Sequence, residues 1–296
     1  MGGIRPAHGF AGGLAALAIA FAATGAQAQK QTPGGLSPAQ VDELSQKHDG
    51  YYSALAPQNR SKKRPKPPFD LTGAWFIDLR KNFGDFMFGP DYPQFFEAGQ
   101  AAMKEAAEAR KAGLSYRDSI GECYPAGMPM IMTRVWPIGM IQLPTAIYMV
   151  SSFENAYRVI YLDGRHFSDP DIVVPSYNGE SIGHWEGKTL VVHTKYIEPN
   201  QHFIDMGIPI SDQFEITERL SLLDKGKTLQ IAYTMTDPKM WKGEWKSTKR
   251  WMRSDYSDIP EVECLPNLNQ HLPSTEEGHA AVEDREKAVT PPGGKP

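Results

Sequence analysis

The chain has 296 residues, 31 of them Lys or Arg and 35 Asp or Glu, for a formal net charge of −4. So mild an acidity, with no basic stripe along a predicted element, excludes the electrostatic footprint of a nucleic-acid binder. Two cysteines with no CxxC pairing are a poor start for a zinc site.

Residues 1–28 read as a secretory signal. Arg5 supplies the basic start, "AGGLAALAIAFAA" the apolar core, and "AQA", ending at Ala28, the small-residue cleavage site. The core is too short for a membrane span, so no transmembrane segment is expected in the mature chain. Cleavage takes away Arg5 and no acid, leaving 30 basic residues against 35 acidic, a net of −5. The implied destination is a bacterial periplasm. In that oxidising compartment Cys123 and Cys264 are a candidate disulfide; two buried free thiols are the alternative.

Residues 29–68 form an extended lead-in. "SPAQVDELSQKH" predicts a short helix with Ser37 as cap and Pro38 at its first position. "APQNRSKKRPKPP" is basic and proline-rich and reads as a solvated linker. A single β-rich domain is expected over 69–266, starting at "DLTGAWFIDL". "QFFEAGQAAMKEAAEARKAG" predicts the one longer helix, with Phe96, Met103 and Ala107 on its docking face and Gly113 ending it. The methionine-rich "ECYPAGMPMIM" reads as core filler or as an adaptable surface for flat ligands.

From Trp136 to Arg253 short β-branched and aromatic runs follow one another. Turns separate them at Asp163-Gly164, Asn178-Gly179, Glu186-Gly187 and Asp224–Lys227. The class is therefore mainly β. An antiparallel meander is expected to close into a lipocalin-like or calycin-like barrel, or a strongly curved sheet, with one or two peripheral helices. Residues 267–296 read as a flexible tail.

Strand alternation sorts the side chains by face. In "QFEITERLSLL", Glu218 shares a face with Phe214, Ile216, Leu220 and Leu222. A carboxylate there is costly unless paired or protonated, so it is either an acid–base group or half of a buried ion pair. In "AYRVIYLDG", Arg158, Ile160 and Leu162 share a face, which makes Arg158 the partner of Glu218 or a clamp for a ligand carboxylate. Tyr157 and Tyr161 occupy the opposite face, and the sequence leaves open which face looks inward. Tyr148 and Tyr233 are candidate pocket residues, and Asp237 a candidate proton carrier. His193 lies on a strand, while His202 and Asp205 lie in a loop long enough to cover a barrel mouth. Their spacing matches no metal pattern, so no metal is assigned. No phosphate loop, dinucleotide fingerprint or GxSxG elbow is present, and no cofactor is assigned.

"DLTGAW", "CYPAGMP", "RVIYLDGR", "YNGESIGHWEGKTLVVHT" and "ITER" occur in this order. Together they resemble a large group of exported bacterial proteins, mostly uncharacterised and common in sphingomonads. The resemblance covers roughly residues 70–265. In that group the central motif reads WNGxSxGxWEGDTLVVDT, followed by a GxPHS segment and an ER pair. His193 stands here where the group has aspartate, and Ile210 where it has the histidine of PHS. Glu218 and Arg219 match the ER pair. The resemblance implies a β-rich exported fold, and for some members a part in breaking down lignin-derived aromatic dimers by cofactor-free lyase or decarboxylase steps.

Three functions compete. The first is a cofactor-independent lyase, a decarboxylase of a small phenolic acid. In it Arg158 holds the carboxylate, and Glu218 or Asp237 moves a proton. Tyr161 and His193 assist, and Tyr148, Tyr157, Tyr233, His202 and Asp205 bind substrate. The second is a non-catalytic periplasmic carrier or sensor of apolar small molecules. The third is an envelope-associated structural protein. Oligomeric state is not readable from the sequence.

Overall fold

The structure, a computed structural model, describes residues 35, 37, 39–40, 47–48, 50–78, 88, 91–112, 123–154, 156–204, 207–255, 258–262 and 264. The signal predicted over 1–28, Asp205, Gly113 and the tail predicted over 267–296 lie outside the described residues. The chain divides into two compact units after Gln46. In the first, Ala39 and Gln40 are helical, and Ser37 caps them as predicted. Gln40 N donates to Ser37 Oγ at 3.3 Å and Ser37 N donates to Gln40 Oε1 at 3.0 Å, the reciprocal bonds of a capping box. The helix predicted from "SPAQVDELSQKH" does not extend to its end. Lys47–His48 (β1) instead pairs with Tyr51–Tyr52 (β2) across Gly50, whose φ of +80° suits glycine.

The second unit is built on a closed barrel of nine strands. They are β3 (Gly73–Ile77), β5 (Ile138–Gln142), β6 (Ala146–Ser151), β7 (Tyr157–Tyr161), β8 (Glu180–Glu186), β9 (Thr189–Lys195), β10 (Glu215–Leu223), β11 (Thr228–Thr236) and β13 (Glu244–Ser254). Each pairs with the next in this order, and β13 closes the ring on β3. The meander is not wholly antiparallel as predicted: β7 and β8 run parallel. The reason is topological. Strand directions cannot alternate around a ring with an odd number of strands, so at least one neighbouring pair must be parallel. The parallel join falls where the connection, residues 162–179, is long enough for a crossover.

Turn chemistry sets the register. Glu186 pairs with Thr189 across the two-residue loop Gly187-Lys188, with φ +57° at Gly187, the glycine-first pattern of a tight hairpin. Leu223 pairs with Thr228 across Asp224–Lys227, where Asp224, Lys225 and Gly226 all have positive φ. Asn178-Gly179 is not a hairpin loop. It turns the crossover into β8, and Asn178 Nδ2 donates to Tyr157 O at 2.8 Å. A Cβ at Gly179 would sit 2.5 Å from Lys195 O, so the position requires glycine for space as well as for its φ of +62°.

The barrel interior is filled by large side chains: Trp75, Ile138, Met149, Ile216, Tyr233, Trp245 and Trp251 are all buried. One end is plugged. Ala126, Met128 and the 3₁₀ turn Met130–Thr133 are buried there, and Met128 N donates to Tyr177 O at 2.9 Å. The methionine-rich stretch is thus core. Cys123 and Cys264 form the expected disulfide, with Cα atoms 5.4 Å apart, which ties this plug to the chain leaving β13.

Outside the barrel, Gln94–Phe95 (β4) pairs with Trp241–Lys242 (β12). Pro57–Arg60 (α1) and Glu97–Lys111 (α2) are α-helical. Helix α2 forms where predicted, but its docking stripe is shifted. Phe96 and Ala107 are exposed, whereas Phe95, Gly99 and Met103 face inward at helical spacing. A Cβ at Gly99 would meet Met240 O at 2.9 Å, so glycine permits the close approach.

Candidate functional site

The inward strand faces bring Arg158 and Glu218 together, each about 2 % exposed. Both Glu218 oxygens accept from the guanidinium: Nη1 reaches Oε1 at 3.1 Å and Nη2 reaches Oε2. Arg158 also donates from Nε to Ser181 Oγ at 2.9 Å and from Nη2 to Thr194 Oγ1 at 2.8 Å. Four of the five N–H donors of this guanidinium are therefore committed to the protein. Of the two roles the sequence leaves to Arg158, the structure supplies the partner of Glu218. One N–H is too few for the fork that would clamp a ligand carboxylate.

Tyr233 stands opposite Glu218 in the β10–β11 register. Its ring packs edge-on against Phe88 at 5.1 Å, and its buried hydroxyl has no hydrogen-bond partner among the described residues. Burial first, and the Glu218 charge second, raise its pKa well above the ordinary tyrosine value. Among the described residues the buried indole N–H groups of Trp245 and Trp251 likewise have no partner.

The other candidates lie apart from this pair. Tyr157 is on the outer face and 69 % exposed. Tyr161 is also outside, under the Arg165 guanidinium at 3.6 Å, and Arg165 in turn pairs with Asp163 at 2.8 Å. Tyr148 is half-buried; burial, then the neighbouring Tyr161 and Tyr157, push its pKa up. His193 looks outward, 2.9 Å from Glu215, which also binds Lys195 at 2.9 Å. Burial pushes the Glu215 carboxyl up, but the Lys195 and His193 hydrogen bonds outweigh it and leave the pKa lowered.

Asp237 is buried as a loop clamp: its carboxylate accepts from Ser211 N at 2.7 Å, Ser211 Oγ at 2.6 Å and Lys239 N at 3.2 Å. His202 is buried at the plugged end, with Nδ1 2.8 Å from Glu198 O and the Ala126 backbone also against the ring. Burial lowers its pKa to about 4, so it is neutral at physiological pH and Nδ1 carries the proton donated to Glu198 O. Among the described residues no group of three or more His, Cys, Asp and Glu is arranged to hold a metal.

At the barrel end away from the plug lies an open groove of 1210 Å³. Its floor is Phe69, Leu143, Pro144, Leu162 and Trp185. Phe69 and Trp185 meet edge to face at 4.8 Å, and both pack on the main core, as does Leu162. The strand ends explain the grouping. Leu143 and Pro144 form the β5–β6 turn, Leu162 follows β7, Trp185 nearly ends β8, and Phe69 precedes β3. One wall is the lead-in, from Lys62 to Asp70. Sequence reasoning left this site out, although Trp185 sits inside the motif quoted above. The missing signal was spatial: the lead-in reads as a linker until the barrel end it crosses is known.

No family model matches the chain, and no curated protein matches it. Solved structures with some likeness include the apo form of Caenorhabditis elegans lipid binding protein 8, at 12% identity over 62% of this chain and 94% of that one, with a TM-score of 0.28. A protein described as a REP1-NXSQ fatty acid transporter is similar at 11% identity, over 63% of this chain and 98% of that one, with the same TM-score of 0.28. At such scores the likeness adds nothing to the fold assignment, which rests on the strand pairing itself. No helix among the described residues is long and apolar enough to cross a membrane.

Proposed function

We propose that this protein is an exported, periplasmic carrier or sensor of small apolar molecules, of the bacterial group its motifs resemble, and that it holds its ligand in the barrel-end groove. The observation that supports this reading is the groove itself. Its aromatic and aliphatic floor is continuous with the core, and one wall is an already ordered strand of chain. Such a site buries an apolar ligand with little reorganisation. The lyase reading draws less support. Of its five proposed catalytic groups only Arg158 and Glu218 meet, and each satisfies the other. Tyr161 and His193 face outward, and Asp237 holds a loop.

The test uses a neutral fluorescent naphthylamine as probe. Wild-type protein is expected to bind it, and Trp185→Ala or Leu162→Glu to weaken that binding at least tenfold while leaving the fold intact by circular dichroism. Phenolic acids incubated with the protein are expected to be recovered unchanged by chromatography. Time-dependent product formation that is lost in Glu218→Gln would replace this reading with the lyase.

A further inference from the structure

The wall of the groove is chemically unlike its floor. Lys62, Lys63, Arg64 and Lys66 line it within a five-residue span, in a protein whose formal net charge is −4. All four residues are exposed, and none of their side chains has a hydrogen-bond or ion-pair partner among the described residues. The one acid among the described lining residues, Asp70, turns back on its own chain and accepts from Thr72 N at 2.8 Å. Cations left uncompensated along an apolar cleft create a positive potential at its rim, and the low-dielectric floor focuses it.

The wall is also held in place. On its N-terminal side, Asn59 is buried and donates from Nδ2 to Tyr52 O at 2.9 Å and Ser53 O at 3.0 Å, and Arg165, just beyond β7, donates from Nη2 to the same Tyr52 O at 3.1 Å, which ties this end to the barrel. On its C-terminal side, the Gln142 side chain accepts from Leu71 N at 2.9 Å and donates to Phe69 O at 3.2 Å. Arg253 stacks over Trp75 at 4.3 Å and donates to Thr72 O at 2.6 Å and Asp70 O at 3.0 Å. Between these anchors Pro65, Pro67 and Pro68 fix φ and favour an extended course without internal hydrogen bonds. The segment that composition presents as a linker is thus a strap across the barrel end, tied at both sides and stiffened between.

Taken with the reading of the groove as a ligand site, on which this step rests, we infer that the ligand is an amphipathic organic acid. Its apolar body lies on Phe69, Leu143, Leu162 and Trp185, and its carboxylate is met by the strap cations. Lys and Arg on a prearranged strap capture an anion with little loss of backbone entropy. Arg64 adds a guanidinium fork that matches a carboxylate. A long-chain acid and an aromatic acid present the same chemistry, and the probes tell them apart.

The experiment is isothermal titration of the full mature chain with dodecanoate, dodecanol of equal chain length, and a cinnamate-type acid. The same titrations are run on the variant Lys62→Gln/Lys63→Gln/Arg64→Gln/Lys66→Gln, whose changes are all on exposed side chains. Wild type is expected to bind at least one of the acids, dodecanoate at least tenfold tighter than dodecanol if the chain is long, with affinity falling as salt rises. The variant is expected to lose that preference while keeping its affinity for dodecanol. Equal binding of acid and alcohol, or an acid preference that survives in the variant, overturns the strap inference and leaves the carrier reading standing. Binding of none of the three overturns both.

Discussion

Removing the Glu218 carboxylate while leaving Arg158 in place is the perturbation whose outcome the structure bounds most tightly. Glu218→Leu strands a guanidinium that is 2 % exposed, with only Ser181 and Thr194 still accepting from it. Breaking a buried pair by deleting one partner costs about 3–5 kcal/mol, because an uncompensated charge remains inside. With a urea m-value of about 2 kcal/mol/M, the unfolding midpoint should fall by roughly 2 M at unchanged slope. The double variant Arg158→Met/Glu218→Leu removes both charges. Ser181 and Thr194 keep each other as partners at 3.0 Å, so the double variant should recover most of that loss. Urea titrations of the two variants, followed by circular dichroism, decide the matter. A Glu218→Leu loss below about 1 kcal/mol, or a double variant less stable than the single, refutes the reasoning that the pair is a closed structural unit.

Other outcomes follow from the same structure. The Tyr233 hydroxyl is buried without a partner among the described residues, so Tyr233→Phe should be neutral or stabilising by about 1 kcal/mol in the same titration. Destabilisation would reveal a bond the structure does not contain. Reducing the Cys123–Cys264 bridge opens a loop with a sequence separation of 141 and should lower stability by up to about 5 kcal/mol in the chain-entropy account, read as a fall in Tm on adding reductant. His202 is neutral when folded, with its pKa lowered from 6.5 to about 4. As pH drops below 6.5 the unfolded chain takes up a proton that the native chain refuses until about pH 4. Stability should therefore fall across that window, by roughly 3 kcal/mol at most. His202→Asn keeps an N–H where Nδ1 donates to Glu198 O and should show a flatter pH profile.

Much of the barrel was legible because alternation and turn chemistry are local. The β10 and β11 faces, the Glu186-Gly187 hairpin and the Asp224–Lys227 loop all come from residues within a few positions of one another. The Glu218–Arg158 pair was legible as one of two readings, since both side chains share faces with aliphatic residues. The parallel β7–β8 join was not, because it follows from the total strand number rather than from any segment. The shift of the α2 stripe from Phe96 to Phe95 and Gly99 depends on β4 pairing with β12, a contact between distant parts of the chain. His193 shows the limit on site reading. It sits in the most distinctive motif, yet its face is set by the register with Thr217, which turns it toward Glu215 and solvent. The strap shows the opposite case: its composition reads as solvated and extended, and its cations are indeed exposed, but the bonds of Asn59, Gln142 and Arg253 that hold it are not legible in that composition.

The carrier account is tested most directly by following the tryptophan indole N–H resonances while a neutral apolar ligand is titrated into isotope-labelled protein. Trp185 is at the groove floor, whereas Trp245 and Trp251 are buried within the barrel. The account predicts that the Trp185 indole signal moves with ligand concentration while those of Trp245 and Trp251 stay in place. Movement of the two interior indoles with Trp185 unchanged would contradict it and put the ligand inside the barrel.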